Sequence, residues 1–258
     1  MAPRCARRRP AYLEGHLPGA VYVDLEHELS RHGHPEQGRH PLPDVESFAR
    51  AVRRWGIDDG DPVVIYDDVD GVAASRAWWL LRQHGIASRV LDGGFRAWVT
   101  AGGRLESGDR VVAPGSARVR PPRTGILTID EAAAFPRDGV LVDVRSLDHY
   151  RGLRAGADPV AGHIPGAISI PTVSHIAADG RFRAPDAISA TLSAHGISAD
   201  SLVAVYCSSG VASAHSALAY HLAGVRARVF PGSWSQWSRT PGRPSVAGMA
   251  PYGQIRTV

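Results

Sequence analysis

The chain has 258 residues, 44% apolar and 21% charged, which suits a buried core in one large or two small domains and excludes wholesale disorder. No stretch approaches the roughly 18–20 apolar residues of a membrane span. All 29 basic residues are Arg, which excludes a Schiff-base lysine, covalently held pyridoxal phosphate and a phosphate-loop lysine together; the formal charge of +4 is scattered and reads as a solvated surface, not a nucleic-acid face.

The basic N-terminus lacks the apolar segment of a secretory signal, so the expected compartment is the reducing cytoplasm. Two cysteines, Cys5 and Cys207, rule out a disulfide framework and a four-cysteine zinc site. Cys5 lies in the Arg-rich start and reads as incidental rather than as an acceptor thiol.

Gly15-His16-Leu17-Pro18-Gly19-Ala20 opens a repeat, because it returns as Gly162-His163-Ile164-Pro165-Gly166-Ala167. The apolar run Val63–Tyr66 predicts a buried strand and corresponds to the strand predicted over Leu202–Tyr206. Each is followed by a predicted helix, Ala73–His84 in one copy and Ala212–Leu222 in the other. Arg89–Trp98 returns as Arg228–Trp237. Matched blocks in one order indicate two copies of one domain. Strands alternating with helices predict the α/β class, with each copy an open, mostly parallel sheet flanked by helices. The second copy begins with a helix over Thr128–Phe135 and a strand over Val140–Val144, for which the first copy has no counterpart. The expected division is therefore an N-terminally shortened domain over 1–104, a linker over 105–125, a complete domain over 126–240 and a surface tail over 241–258.

The chemistry concentrates at Cys207, which ends a predicted strand. Ser208, Ser209, Gly210, Val211, Ala212 and Ser213 lead from it into a helix. Such a loop turns backbone N–H groups inward and sets a helix N-terminus beneath the sulfur, which favours an anion there. A buried structural cysteine is the plainer alternative. Ser213 stands where a Cys-x5-Arg phosphatase needs its arginine, and Gly210 where a Cys-x-x-Cys pair needs its second thiol. What remains is a thiolate that carries a transferable group, and sulfur fits the small loop. No metal or organic cofactor is implied.

These motifs resemble the tandem-domain rhodanese family, the thiosulfate and 3-mercaptopyruvate sulfurtransferases. The resemblance rests on the twin His-x-Pro-Gly-Ala blocks, Tyr66-Asp67 before Trp78-Trp79, Asp143-Val144-Arg145, the Cys207–Ser213 loop and Gly232–Trp237. It implies a persulfide on Cys207, cupped by Ser208–Ser213, and a silent first domain with Asp67 in the cysteine's place. It implies that Arg145 supports the site or the substrate; the alternative is a strand-end arginine paired with Asp143. His149 replaces a second family arginine, for which Arg151 or Arg154 could substitute. His40 matches a histidine that faces the cysteine with a serine and an acid, here Glu26. The uncharged loop tilts the expected donor toward 3-mercaptopyruvate rather than thiosulfate. The expected partners are that small donor and a thiol or cyanide acceptor, with no nucleic acid, no membrane and a monomeric chain. The competing reading is a non-catalytic rhodanese-like binding or sulfur-relay module. His16 and His163 are expected to be structural, and His215 and His221 exposed on their helix.

Overall fold

The computed structural model describes residues 8–122 and 125–257; Cys5 lies outside them. In the first half, α1 (Arg8–Glu14) and α2 (Val45–Arg54) precede β1 (Val63–Ile65), α3 (Val72–Gln83), β2 (Ser88–Val90) and α4 (Gly94–Thr100). Helix α2 starts where the Asp44 carboxylate accepts the Ser47 N–H at 2.8 Å, a side-chain cap for an otherwise unpaired donor. It then buries Phe48, Ala51 and Val52. In the second half, α5 (Ile129–Ala134) begins at a capping box of Thr128 and Glu131. Then come β3 (Val140–Asp143), α6 (Leu147–Tyr150), β4 (Ile168–Ser169), α7 (Pro185–Ser193), β5 (Val203–Tyr206), α8 (Ala212–Leu222), β6 (Ala227–Val229) and α9 (Ser233–Trp237).

The second half folds around a parallel sheet of order β4-β3-β5-β6. Strand β5 is buried throughout, which explains its continuous apolar run. Asp143 pairs in register with Tyr206, so the C-terminal ends of the two central strands lie side by side, where an open α/β sheet places its ligand site. In the first half β1 pairs in parallel with β2. Where the second half seats β3, the first half has no strand among the described residues. That flank instead opens to a cavity of about 520 Å³ lined by Val21, Val23, Val63, Ile65, Tyr66 and Leu81, among others. Helices α3 and α8, which follow the corresponding strands β1 and β5, pack on each other and join the halves.

The C-terminal stretch is not a plain surface wrap. It forms an antiparallel hairpin of β7 (Pro244–Ala247) and β8 (Gln254–Thr257). Val246 is buried, and its backbone exchanges two 2.9 Å bonds with His163; an apolar side chain and the backbone donors of the His163 loop draw it inward. His16 and His163 are buried, each stacked on a tyrosine, Tyr12 or Tyr150. Each Nδ1 lies within hydrogen-bond distance of that tyrosine's carbonyl, at 2.9 and 2.8 Å. The repeat has thus kept one polar tether in both copies.

His215 is buried, not exposed, because α8 is covered on several sides. It stacks on Phe182 at 4.5 Å, and His175 meets Tyr220 edge-on. Burial holds His175 down to about 4, helped by Arg183, and His215 down to about 3, helped by His175. Their folded values lie below the unfolded one, so the unfolded chain binds more protons as pH falls. The stability they confer is full above about pH 6.5 and is lost on acidification, by on the order of 2 kcal/mol per histidine at pH 5. Urea unfolding at pH 7 and pH 5 is expected to show that loss, and His215→Leu to remove about half of it.

Candidate active site

Cys207 follows β5, and its loop returns through Gly210 at φ +83° into α8. A side chain at Gly210 would collide with the Pro231 carbonyl, so the position requires glycine. The loop carbonyls are held from outside. Trp234 N–H donates to Cys207 O at 2.9 Å and Ser235 N–H to Ser208 O at 2.8 Å. Arg39 also donates to Ser208 O at 3.3 Å, and Arg76 to Gly210 O at 3.1 Å. Planar peptides then aim the following N–H groups to the opposite face of the loop. The Gly210 N–H donates to Cys207 Sγ at 3.1 Å. The hydroxyls of Ser213 and Ser233 lie 3.6 and 3.8 Å from the sulfur. Cys207 is 3% exposed, while Ser208, Val211 and Ala212 at the rim are half-buried.

The first half contains the same device with its ligand built in. Asp67 Oδ1 accepts the N–H groups of Val69 and Gly71 at 3.0 and 2.9 Å, and Oδ2 that of Ala74 at 2.8 Å. A carboxylate fills the cradle that the second half offers to sulfur.

His40 and Ser209 meet across the two halves. His40 Nδ1 lies 2.8 Å from Ser209 Oγ, and Nε2 lies 3.2 Å from Glu26 Oε1. A carboxylate only accepts, so the proton sits on Nε2 and Nδ1 accepts from the Ser209 hydroxyl. Burial lowers the His40 pKa, outweighing the Glu26 carboxylate that raises it, with Arg76 and Arg39 lowering it further. The imidazole is therefore neutral at pH 7.

The other expected residues bond partners other than the sulfur. The Arg145 guanidinium turns inward. Nε donates to both Asp143 oxygens at 3.0 and 3.1 Å, and Nη2 to Oδ2 at 2.6 Å. Nη2 also donates to Gly162 O, and the Trp234 ring packs over the guanidinium at 4.6 Å. Nε and Nη2 are thus both spent inside the protein, in the strand-end pair with Asp143 that was the alternative to a substrate contact. His149 bonds Ser146 Oγ at 2.7 Å, and exposed Arg154 pairs with Asp148. Neither bonds the Cys207 loop.

Three features at the site escape sequence reasoning. Arg39 and Arg239 both pair with the buried Asp158 beside the loop, leaving one net positive charge there. Arg76 reaches the loop from α3. Ser233 adopts a left-handed φ of +54° where the first copy has Gly94. Its hydroxyl accepts the Cys207 N–H at 3.1 Å and donates to Phe230 O at 2.9 Å. A non-glycine residue kept in that region is a signal of function, and the Gly94-to-Ser233 change between the copies was its trace in the sequence.

The rhodanese-like domain model matches residues 6–101 and 128–240. A putative thiosulfate sulfurtransferase, SseB, of Mycobacterium tuberculosis is 46% identical over 246 residues, 93% of this chain and 86% of that protein. A probable 3-mercaptopyruvate sulfurtransferase of Pseudomonas aeruginosa is 41% identical, over 92% of this chain and 86% of that protein. Among solved structures, the 3-mercaptopyruvate sulfurtransferase of Leishmania major superposes with a TM-score of 0.80 at 28% identity, over 89% of this chain and 66% of that one. An anaerobic ergothioneine biosynthesis enzyme of Chlorobium limicola superposes with a TM-score of 0.81 at 28% identity, over 95% of this chain. This chain spans 63% of that enzyme's length.

Proposed function

The chain belongs to the rhodanese family, and we propose that it moves sulfane sulfur from a small anionic donor to a thiol or cyanide acceptor through a persulfide on Cys207. The observation that carries this reading is the Gly210 N–H bond to Sγ, in a loop whose first-half counterpart already holds a carboxylate. The same amides can hold a thiolate and then the terminal sulfur of a persulfide.

We favour 3-mercaptopyruvate as donor. The Cys207 thiolate attacks the mercapto sulfur, forming the S–S bond. The carbon–sulfur bond breaks, and its electron pair stays with carbon as the enolate of pyruvate. The Ser209 hydroxyl, oriented by neutral His40 with Glu26 behind it, gives its proton to the enolate carbon, and the donor's own S–H proton, released as the outer sulfur becomes the anionic persulfide, restores the hydroxyl. An acceptor thiolate or cyanide then attacks the outer sulfur, leaving as a persulfide or thiocyanate and restoring the thiolate. This is two-step covalent transfer. With thiosulfate the attack would release sulfite, and no proton would be needed. The net positive charge of Arg39, Arg239 and Asp158 at the loop's edge suits either anion. The uncharged loop and the relay serve the donor whose product must be protonated. A reducing cytoplasm, where Cys207 stays free, and a monomeric chain complete the proposal.

The test is steady-state turnover with each donor in turn, with cyanide or a small thiol as acceptor. Higher kcat/KM with 3-mercaptopyruvate is expected. Preference for thiosulfate would overturn the donor assignment. Absence of turnover and of loaded sulfur with both would leave a binding module.

A further inference from the structure

Arg76 is a charged residue in the middle of an apolar helix face. On α3 it stands among Ala74, Ala77, Trp79 and Leu80, all buried, and is itself 0% exposed. Among the described residues its polar bonds all go to carbonyls and no carboxylate pairs with it. Nε and Nη2 donate to Leu29 O at 3.3 and 3.2 Å, Nη2 to His40 O at 3.1 Å, and Nη1 to Gly210 O at 3.1 Å. The ring of Trp79 lies 5.9 Å from the guanidinium carbon. Carbonyls satisfy the N–H groups but do not neutralise the charge. A buried cation without a carboxylate is costly, unlike Arg145, which has Asp143. Burial brings Arg76 down to about 10, which leaves it charged at neutral pH, and the ionisable group that acts against this is Cys207.

The carbonyl it holds belongs to Gly210, the residue whose N–H bonds Sγ. Arg76 thus fixes the Gly210–Val211 peptide from behind while placing a positive charge at the back of the cradle. In a dry interior such a charge acts strongly and without reorganisation. We propose that Arg76 is the positioning residue of the sulfur site, a fixed counter-charge lent by the first half to the thiolate and the anionic persulfide of Cys207. The proposal rests on the persulfide reading, and it assigns the silent half an electrostatic task. The charged and titratable groups facing the same centre are His40 with Glu26 behind it, and Arg39 at the rim with Asp158 and Arg239. Helices α8 and α9 contribute the neutral hydroxyls of Ser213 and Ser233.

The experiment follows the pH dependence of Cys207 alkylation by iodoacetamide in full-length protein carrying Arg76→Met, Arg76→Gln or Arg76→Lys. Circular dichroism verifies folding, and Cys5→Ser is present throughout to leave one thiol. Removing the charge is expected to move the alkylation profile up by about one to two pH units and to slow alkylation at pH 7 by about tenfold or more. The rate at the alkaline plateau stays near that of the parent. Arg76→Gln keeps two donors for the carbonyls and is expected to follow Arg76→Met, and it serves as the uncharged variant if Arg76→Met does not fold. Arg76→Lys keeps the charge and is expected to stay near the parent profile. In turnover, kcat falls while KM holds, because Arg76 does not touch the donor. A profile unchanged in the uncharged variants, or Arg76→Lys behaving like Arg76→Gln, overturns the proposal. Failure of the parent protein to load sulfur would sink the persulfide reading instead, and the alkylation profiles would still report on Arg76.

Discussion

Cys207→Ser is expected to abolish cyanide-releasable sulfur, from about one per chain to background, while leaving the fold intact. A serine hydroxyl fits the same space and can accept the Gly210 N–H, so the loop keeps its shape. It cannot supply an anion of comparable nucleophilicity at neutral pH, and no persulfide forms. Incubation with either donor, removal of excess, and colorimetric thiocyanate release on adding cyanide measure the loaded sulfur directly. Thermal unfolding of the same sample checks the fold. Sulfur retained by Cys207→Ser would move the carrier elsewhere and end the assignment. The outcome differs in kind from that expected at Arg76, where loading slows but its stoichiometry persists.

Asp143→Asn is expected to cost about 3–5 kcal/mol of stability, because it strands a buried cation. Asp143 is 0% exposed and the Arg145 side chain 3%. The carboxylate accepts from the Arg145 backbone at 2.9 Å, from its guanidinium, and from the Tyr206 hydroxyl at 2.8 Å. The amide of Asn offers one acceptor oxygen and no charge. The pair sits between the ends of β3 and β5, one residue from Cys207, and holds the strand ends together. Urea unfolding measures the loss. Replacing both partners, Asp143→Leu with Arg145→Leu, is expected to recover part of it, since no lone charge remains. Stability unchanged in Asp143→Asn would mean that the ion pair holds nothing. An activity loss larger than the unfolded fraction explains would return Arg145 to the substrate.

Local features were legible from the residues alone. The strand Val203–Tyr206, the glycine turn at Gly210 and the helix Ala212–Leu222 follow one another directly, and their hydrogen bonds close within a few residues. The repeat was legible too, because the His-Pro-Gly blocks keep the same tether to Tyr12 and Tyr150. The resemblance carried His40 and Glu26 toward the sulfur, and the two halves bring His40, with Glu26 on its other nitrogen, to Ser209.

The alternation of strands and helices, the two-copy architecture and the sulfur-bearing loop were thus determined by the chain's own pattern, since periodicity and turn chemistry act over short spans. What the tertiary structure alone decided is where long side chains spend their charge. Arg145 and Arg76 look alike on paper, yet one turns inward to Asp143 and the other crosses the interface of α3 and α8 to Gly210. His215, on a helix that could have faced water, is buried against Phe182. The position of an arginine or histidine in the sequence does not reveal which acceptors and which dielectric it will meet; those come from segments far away in the chain, and they decide whether it binds, braces or tunes.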